Sequence, residues 1–195
     1  MAKSNRRQQI LEALAQMLQE RPGETITTAN LAAAVGVSEA ALYRHFPSKT
    51  KMIEGLITFS EEALFSRINM ILNEQPAAAA RCRNIVYLIL SFIERNPGVA
   101  RLFAGDALQG ESQRLRTRMD QLLNRVETQL RQVLREHLAQ QVTMPTMDIN
   151  PAANLLMAFV EGRIAQFVRS DFSALPTRDW ESQWKMMGGA IFSSA

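Results

Sequence analysis

The side chains best suited to chemistry in this sequence lie between residues 27 and 49, and they suit hydrogen bonding to a polyanion. Hydroxyl, imidazole, guanidinium and ammonium groups there can donate to phosphate oxygens, and such contacts fix the register of a protein on a duplex. Two adjacent alanines are small enough for a helix to approach base edges or a thymine methyl group closely. The sequence therefore predicts a site for double-stranded DNA, made of Thr27, Thr28, Ser38, Glu39, Ala40, Ala41, Tyr43, Arg44, His45 and Lys49.

Two short helices joined by a tight turn are predicted to position these side chains. Thr27 or Thr28 can cap the first helix, because a hydroxyl there accepts a hydrogen bond from an unpaired backbone N–H. Gly36 occupies the turn, where a positive φ angle is easiest without a Cβ atom. Ser38 can cap the second helix, which stops before Pro47. A helical pair of this kind is a helix-turn-helix.

The distribution of charge favours a DNA-binding head over a plain alanine-rich hairpin with solvated charges. Residues 1–51 hold 7 Lys or Arg against 4 Asp or Glu, whereas residues 52–195 hold 15 of each. The formal net charge of +3 therefore comes entirely from the segment that carries the helix-turn-helix. A phosphate-binding surface requires such an excess of positive charge.

An amphipathic helix precedes the helix-turn-helix and is predicted to complete a three-helix head. Its apolar residues recur every four positions and end before Pro22-Gly23. The preceding residues, 1–8, are polar and basic, and they fit either a frayed terminus or an arm that reaches DNA. The helix should pack its Ile10, Leu14 and Leu18 on the apolar side chains Leu31, Val35, Val37, Leu42 and Phe46.

The remaining chain is predicted to form a larger all-α body. A long helix capped by Ser48 should end near residues 73–75, and Pro76 should open the next helix as a first-turn proline. Pro97 should start a short helix that continues through Leu108. The expected domains are the DNA-binding head at 1–50 and the dimerisation and partner-binding body at 51–195.

Three helical patterns close the chain. Residues 111–141 carry an apolar seam that fits a coiled coil or, in preference, an antiparallel helix of a globular body. Residues 140–150 are predicted to form a loop. A helix at 152–170 and a last helix capped by Thr177 are more apolar than one body needs, which fits either a homodimer interface or two helices that simply cover the core of one subunit. Of these, we predict the homodimer interface.

The residue types that enzymes and cofactor-binding proteins need are sparse. Cys82 is the only cysteine, and the histidines His45 and His137 lie far from it in sequence, so no metal-ligand spacing is present. Neither a glycine-rich phosphate loop nor a nucleophile motif occurs. We therefore expect a non-enzyme without a cofactor. Without an apolar run long enough to span a bilayer, the expected location is the cytoplasm.

Val35 to Lys49, which ends Leu-Tyr-Arg-His-Phe-Pro-Ser-Lys, resembles the DNA-binding signature of the tetracycline-repressor (TetR) family. The resemblance implies a three-helix reading head and a variable helical body that forms a dimer. Within this family, ligand-released transcriptional repression is the commonest behaviour, and it requires a pocket in the body. A ligand-released repressor is accordingly one hypothesis for this chain.

The body also resembles one branch of the family, whose members act in nucleoid occlusion. The resemblance rests on the head and on the segments Arg6 to Leu11, Glu94 to Gly98, Glu127 to Glu136 and Phe167 to Phe172. It implies a DNA-bound dimer that binds the tubulin-like division GTPase FtsZ and antagonises its polymers over the chromosome. The partner surface that it implies consists of Phe59, Arg67, Leu88, Arg95 and Asn96, and Ser91 stands where the branch has glycine.

These two hypotheses differ in class from a third, an enzyme or a purely structural helical protein, which we place last. On residue chemistry alone, Arg67 and Arg95 fit solvated charges on helix surfaces as well as they fit a partner site. The branch resemblance favours the DNA-activated inhibitor of cell division over the ligand-released repressor.

Overall fold

The computed structural model describes residues 2–20, 26–139 and 148–192, and every regular element in these ranges is helical. The predicted all-α class is confirmed. The predicted turn at Pro22-Gly23 and most of the predicted loop at 140–150 lie outside the described residues. The helices are α1 (Ala2–Glu20), α2 (Thr28–Val35), α3 (Glu39–His45), α4 (Lys49–Glu74), α5 (Ala78–Arg95), α6 (Pro97–Phe103), a 3₁₀ turn (Asp106–Leu108), α7 (Gln113–Ala139), α8 (Ile149–Arg169) and α9 (Trp180–Phe192).

The chain packs as two compact units that are not continuous in sequence. The first unit contains Met1–Glu62 and Asn96–Asp120, and the second contains Ala63–Arg95 and Gln121–Ala195. Helices α4 and α7 contribute residues to both units. The division expected at residue 50 is a division by function, and it stays a prediction.

The core of the first unit is built from the apolar faces of α1, α2, α3 and the start of α4. Ile10 and Leu14 of α1 are fully buried, and Leu31, Leu42 and Phe46 are each at most 1% exposed. These residues pack as the spacing predicts. The two valines that flank the turn between α2 and α3, Val35 and Val37, are only half-buried.

Helix α6 packs directly against the backbone of α1 within the first unit. A Cβ atom built on Gly98 would lie 1.8 Å from the carbonyl oxygen of Ala15, so only glycine allows this approach. Three residues later, the guanidinium of Arg101 donates to the carbonyl oxygen of Leu18 at 2.9 Å. The same guanidinium pairs with Asp106 at 2.6 Å, so this buried charge is neutralised. Residues from far along the chain thus cover the first helix of the head.

The second unit is centred on α5, α8 and α9. The inner face of α5 is buried, and Trp180 at the start of α9 lies 6.0 Å from Tyr87, 6.1 Å from Phe159 and 5.5 Å from Trp184 between ring centroids. Burial raises the pKa of the Cys82 thiol to about 12, so this cysteine is a core residue rather than a nucleophile.

Several helix boundaries differ from the sequence prediction. The backbone of residues 2–8 is helical, so the segment is the first part of α1 rather than a frayed terminus, and its contact with DNA stays a prediction. Pro76 lies two residues before α5 rather than in its first turn. The helix that begins at Pro97 ends at Phe103, and the chain reaches Leu108 through a 3₁₀ turn.

Thr177 does not cap the last helix, as the sequence predicted. Helix α9 begins three residues later, at Trp180. The backbone N–H and the hydroxyl of Thr177 both donate to the carboxylate of Glu94, at 3.1 and 2.6 Å. The threonine therefore anchors the α8–α9 connection to α5. The sequence could not show this, because the acceptor comes from a distant helix.

Candidate nucleic-acid interface

The first helix of the helix-turn-helix begins at a capping threonine. The backbone N–H of Asn30 donates to Thr27 Oγ1 at 3.2 Å, and Thr27 itself is in an extended conformation. Of the two candidates in the sequence, Thr27 is therefore the cap. Its oxygen accepts the helical N–H, so its hydroxyl proton remains able to bind an external acceptor such as phosphate.

The turn between α2 and α3 is a Schellman motif closed by Gly36. The N–H of Val37 donates to the carbonyl oxygen of Ala32 at 3.0 Å, and the N–H of Gly36 donates to that of Ala33 at 3.1 Å. Gly36 has φ 70° and ψ 39°, the left-handed conformation that this motif requires. These bonds fix the angle at which α3 leaves α2.

Ser38 caps α3, as predicted, and presents the start of that helix to solvent. Its Oγ accepts the backbone N–H of Ala41 at 3.2 Å. Glu39 and Ala40 are exposed, and Ala41 is half-buried. The first turn of α3 is thus an accessible, narrow helix end, which is the shape that enters a major groove.

The remaining side chains of α3 divide between core and solvent at helical spacing. Leu42 is fully buried and Phe46, which follows the helix, is 1% exposed. Tyr43 is 43% exposed, Arg44 is exposed and His45 is half-buried. Burial of Leu42 and Phe46 therefore holds the predicted DNA-binding side chains on the outer face.

A hydrogen-bonded chain joins three of the predicted DNA-binding side chains. The phenolic O–H of Tyr43 donates to Thr28 Oγ1 at 3.3 Å, and the hydroxyl of Thr28 donates to Glu39 Oε2 at 2.7 Å. The chain crosses from α2 to α3 on the exposed side of the turn. It limits the rotamers of Tyr43 and Glu39, which pre-organises both groups.

The start of α4 carries the last predicted DNA-binding residue, Lys49. Ser48 caps the helix, since its Oγ accepts the backbone N–H of Lys51 at 3.2 Å. Lys49 Nζ lies 2.6 Å from the carboxylate of Glu111, an ion pair that the sequence did not predict. In the sequence, α5 and α6 lie between Lys49 and Glu111, so no local pattern could have revealed this pair.

A second ionic cluster lies one turn further along α4. The carboxylate of Glu54 is 2.6 Å from Lys51 Nζ and 2.5 Å from Arg114 Nε. The hydrogen bond from Lys51 and the charge of Arg114 hold the pKa of Glu54 below its ordinary value, against the opposing effect of burial. Glu54 stays ionised near neutral pH and joins the starts of α4 and α7.

The five residues of the predicted partner surface are distributed over both units. Phe59, which is 45% exposed, and the half-buried Asn96 belong to the first unit. Arg67 and Arg95, both exposed, and the half-buried Leu88 belong to the second. Phe59 lines an open groove of about 320 Å³ in the first unit, between α1 and α4.

The described part of the chain contains neither a candidate metal site nor a candidate membrane-spanning helix. Across residues 2–20, 26–139 and 148–192, His, Cys, Asp and Glu nowhere gather in a group that could hold a metal ion. Within the same ranges, none of the helices combines the length and apolar character needed to span a membrane.

Two family models match the chain. Residues 10–56 match the model described as bacterial regulatory proteins of the tetR family. Residues 76–191 match a tetracyclin repressor-like C-terminal domain of SlmA-like type. Head, capped turn and helical body together define a helix-turn-helix DNA-binding protein of the TetR class.

Known proteins resemble the chain along nearly its whole length. The Nucleoid occlusion factor SlmA of Idiomarina loihiensis is 52% identical over 192 residues, covering 98% of both chains. The protein of the same name from Marinomonas sp. is 55% identical over 185 residues, covering 95% of this chain and 94% of the relative. A TetR transcription regulator from Haloarcula marismortui shares the fold, with a TM-score of 0.81, 17% identity and coverage of 96% and 98%. The chain belongs to the TetR family and, within it, to the nucleoid occlusion factors named SlmA.

Replacing Gly36 tests the geometry of the turn. Gly36→Ala should lower the free energy of unfolding by about 1 kcal/mol, because a Cβ disfavours the left-handed conformation. Apart from Gly36 and its two chain neighbours, no residue has an atom within 4 Å of the position that this Cβ would take, so a clash with the rest of the fold does not contribute. Gly36→Asn is the matched control and should lose less, because asparagine tolerates this conformation. Urea unfolding followed by circular dichroism measures both, and an equal loss for the two variants contradicts the explanation.

Proposed function

We propose that this protein is a DNA-activated inhibitor of cell division that acts in nucleoid occlusion. The proposal is carried by the identity of 52–55% to SlmA proteins over at least 94% of their length, body as well as head. The body separates the branches of the family, and residues 76–191 match the SlmA-like model. The solved TetR structures at 17% identity support the fold alone. We place the protein on the nucleoid.

The DNA-binding surface in this proposal is the exposed side of the helix-turn-helix and the start of α4. Thr27, Thr28, Tyr43, Arg44, His45 and Lys49 bind phosphates, and Ser38, Glu39, Ala40 and Ala41 lie nearest the bases. Support comes from the caps of α2 and α4, which define the two helix N-termini where Thr27, Thr28 and Lys49 lie. Backbone N–H groups and the helix dipole favour an anion at such ends.

Removing the ammonium of Lys49 is the sharpest test of the phosphate contacts. Lys49→Ala should weaken binding to all duplexes alike, and the slope of log K against log salt should fall by about one for each head. The matched control is Lys51→Ala, which also removes a lysine paired with a glutamate, but one outside the proposed phosphate contacts, and it should leave the slope nearly unchanged. Fluorescence anisotropy across a salt series measures both slopes. A Lys49→Ala protein that changed only its preferred sequence would disprove a phosphate role.

In this proposal the protein forms a homodimer through α8 and α9. Exposed small and apolar residues recur on α8 at spacings of three and four, at Leu155, Ala158, Gly162 and Ala165. On α9, Met186 is 69% exposed. Such a stripe suits packing of helices from two copies around a twofold axis.

A charge placed on this stripe should prevent association. Leu155 is 42% exposed in the monomer, so Leu155→Glu leaves the fold intact but buries a carboxylate twice in a symmetric interface. Gln121→Glu, at an exposed position of α7, is the matched control and should stay dimeric. Sedimentation equilibrium at micromolar concentration gives the masses. A monomeric wild type overturns the proposed dimer.

The proposed partner surface for FtsZ combines an apolar anchor with exposed guanidinium groups. Phe59 is the exposed ring, and Arg67 and Arg95 are exposed charges that suit an acidic segment of the partner. Leu88 and Asn96 complete the set. In such a surface the charges chiefly set the encounter rate, whereas the apolar contact sets the residence time.

Charge reversal at this surface should separate the two activities. Arg95→Asp and Arg67→Asp should abolish antagonism of FtsZ polymers, while DNA affinity stays within a few-fold. Arg135→Asp, an exposed arginine on α7, serves as the control and should retain both activities. The assay is sedimentation of FtsZ polymers formed with GTP, with and without the protein and its DNA. An Arg95→Asp protein that still antagonised the polymers would remove this residue from the partner surface.

A further inference from the structure

The ammonium group of Lys49 is already occupied by an internal anion. Lys49 Nζ lies 2.6 Å from Glu111 Oε1, and the two side chains are only 30% and 18% exposed. A pair this short and this shielded is a charge-assisted hydrogen bond rather than a loose surface contact. Lys49, which is proposed to bind phosphate, is thus already paired with a carboxylate of its own chain.

Glu111 is presented to Lys49 by a backbone that is held in place. Its carbonyl oxygen accepts a hydrogen bond from the guanidinium of Arg116 at 2.8 Å, and its N–H donates to the carbonyl oxygen of Leu108 at 3.2 Å. Arg116 is itself fixed, because it also donates to Gln113 Oε1 at 3.0 Å. Ordering of this segment lowers the entropic cost of the ion pair, which is what makes many exposed pairs weak.

We propose that Glu111 is a built-in competitor of DNA, whose carboxylate occupies the place that a backbone phosphate takes on Lys49. The inference rests on the proposed phosphate contact of Lys49. Carboxylate and phosphate oxygens accept the same charge-assisted bond from an ammonium group. Although an ammonium has three donors, a carboxylate held 2.6 Å from the nitrogen repels a phosphate that approaches the same group. DNA binding therefore either displaces Glu111 or proceeds against its charge.

Displacement of Glu111 changes how the start of α7 is tied to α4. Within the first unit, ion pairs join α4 to this segment from Lys49 to Glu111, from Glu54 to Arg114 and from Glu61 to Arg118. The pair at Lys49 lies at the end of α4 that faces the proposed DNA surface. Where DNA displaces Glu111, it therefore releases the segment before α7 at one point, and the affinity of the head then depends on that segment.

Neutralising Glu111 is the direct test. Glu111→Gln keeps the shape of the side chain and removes its charge, and it should tighten binding roughly three- to tenfold across two heads, the range that such ion pairs support. The probe is a labelled duplex that the wild type selects from chromosomal fragments, with a scrambled duplex of equal length beside it. Both duplexes should gain, because phosphates are common to both.

A double-mutant cycle shows whether the gain passes through Lys49. In the Lys49→Ala background, Glu111→Gln should change affinity by less than about twofold, because its charge no longer competes for an ammonium. Glu62→Gln, which neutralises an exposed carboxylate on α4, the helix that carries Lys49, is the matched control and should also have little effect. Thermal unfolding of each variant checks that the fold is retained, and Glu111→Ala provides a second substitution.

The outcomes distinguish a failure of the inference about Glu111 from a failure of the proposed DNA binding. No gain for Glu111→Gln or Glu111→Ala in a protein that binds DNA overturns the inference. An equal gain with and without Lys49 does so too, because it would reflect the net charge alone. A wild type without affinity for any duplex, or Lys49→Ala without a loss of affinity, instead contradicts the proposed DNA contacts.

Discussion

The geometry of the DNA-binding head depends on the burial of one aromatic ring, that of Phe46. The ring is 1% exposed at the end of α3, and the guanidinium of Arg7 from α1 lies 4.7 Å from its centroid. On the α4 side, a Cβ built on Gly55 would lie 2.7 Å from the ring. Three helices thus meet at one side chain, whose burial contributes on the order of 2–3 kcal/mol. The orientation of α3 follows from how this ring is seated.

Hydroxyl caps then fix where each helix of the DNA-binding surface begins. Thr27, Ser38 and Ser48 each accept a backbone N–H at 3.2 Å at the start of α2, α3 and α4. Capping uses the oxygen of each hydroxyl and leaves its proton for another acceptor. The same groups can therefore set the backbone and face DNA.

Local features of the sequence predicted the elements of the head well. Gly36, Ser38 and Pro47 each act on the backbone at or next to their own position. Their effects can therefore be predicted from the local sequence. The spacing of Leu42 and Phe46 likewise predicted which face of α3 is buried, and burial confirms it. These signals survive folding, because tertiary packing reinforces what each short segment prefers by itself.

Contacts between distant segments were beyond the reach of the sequence. Glu111 is an ordinary acidic residue until the fold places it beside Lys49, and Thr177 resembles a helix cap until Glu94 supplies two acceptor contacts. The helical start of the chain was also missed, since polar and basic residues carry little apolar periodicity. The placement of such partners depends on tertiary structure, which no periodicity encodes.

The contact between Gly98 and the backbone of α1 has a consequence for biosynthesis. A ribosome delivers the helix-turn-helix before it delivers residues 96–120, yet those residues belong to the same compact unit. Until they emerge, Ala15 lacks its neighbour and the carbonyl oxygen of Leu18 lacks the guanidinium that it binds in the finished protein. The reading head of a nascent chain therefore remains incomplete until most of the first half of the body has been translated.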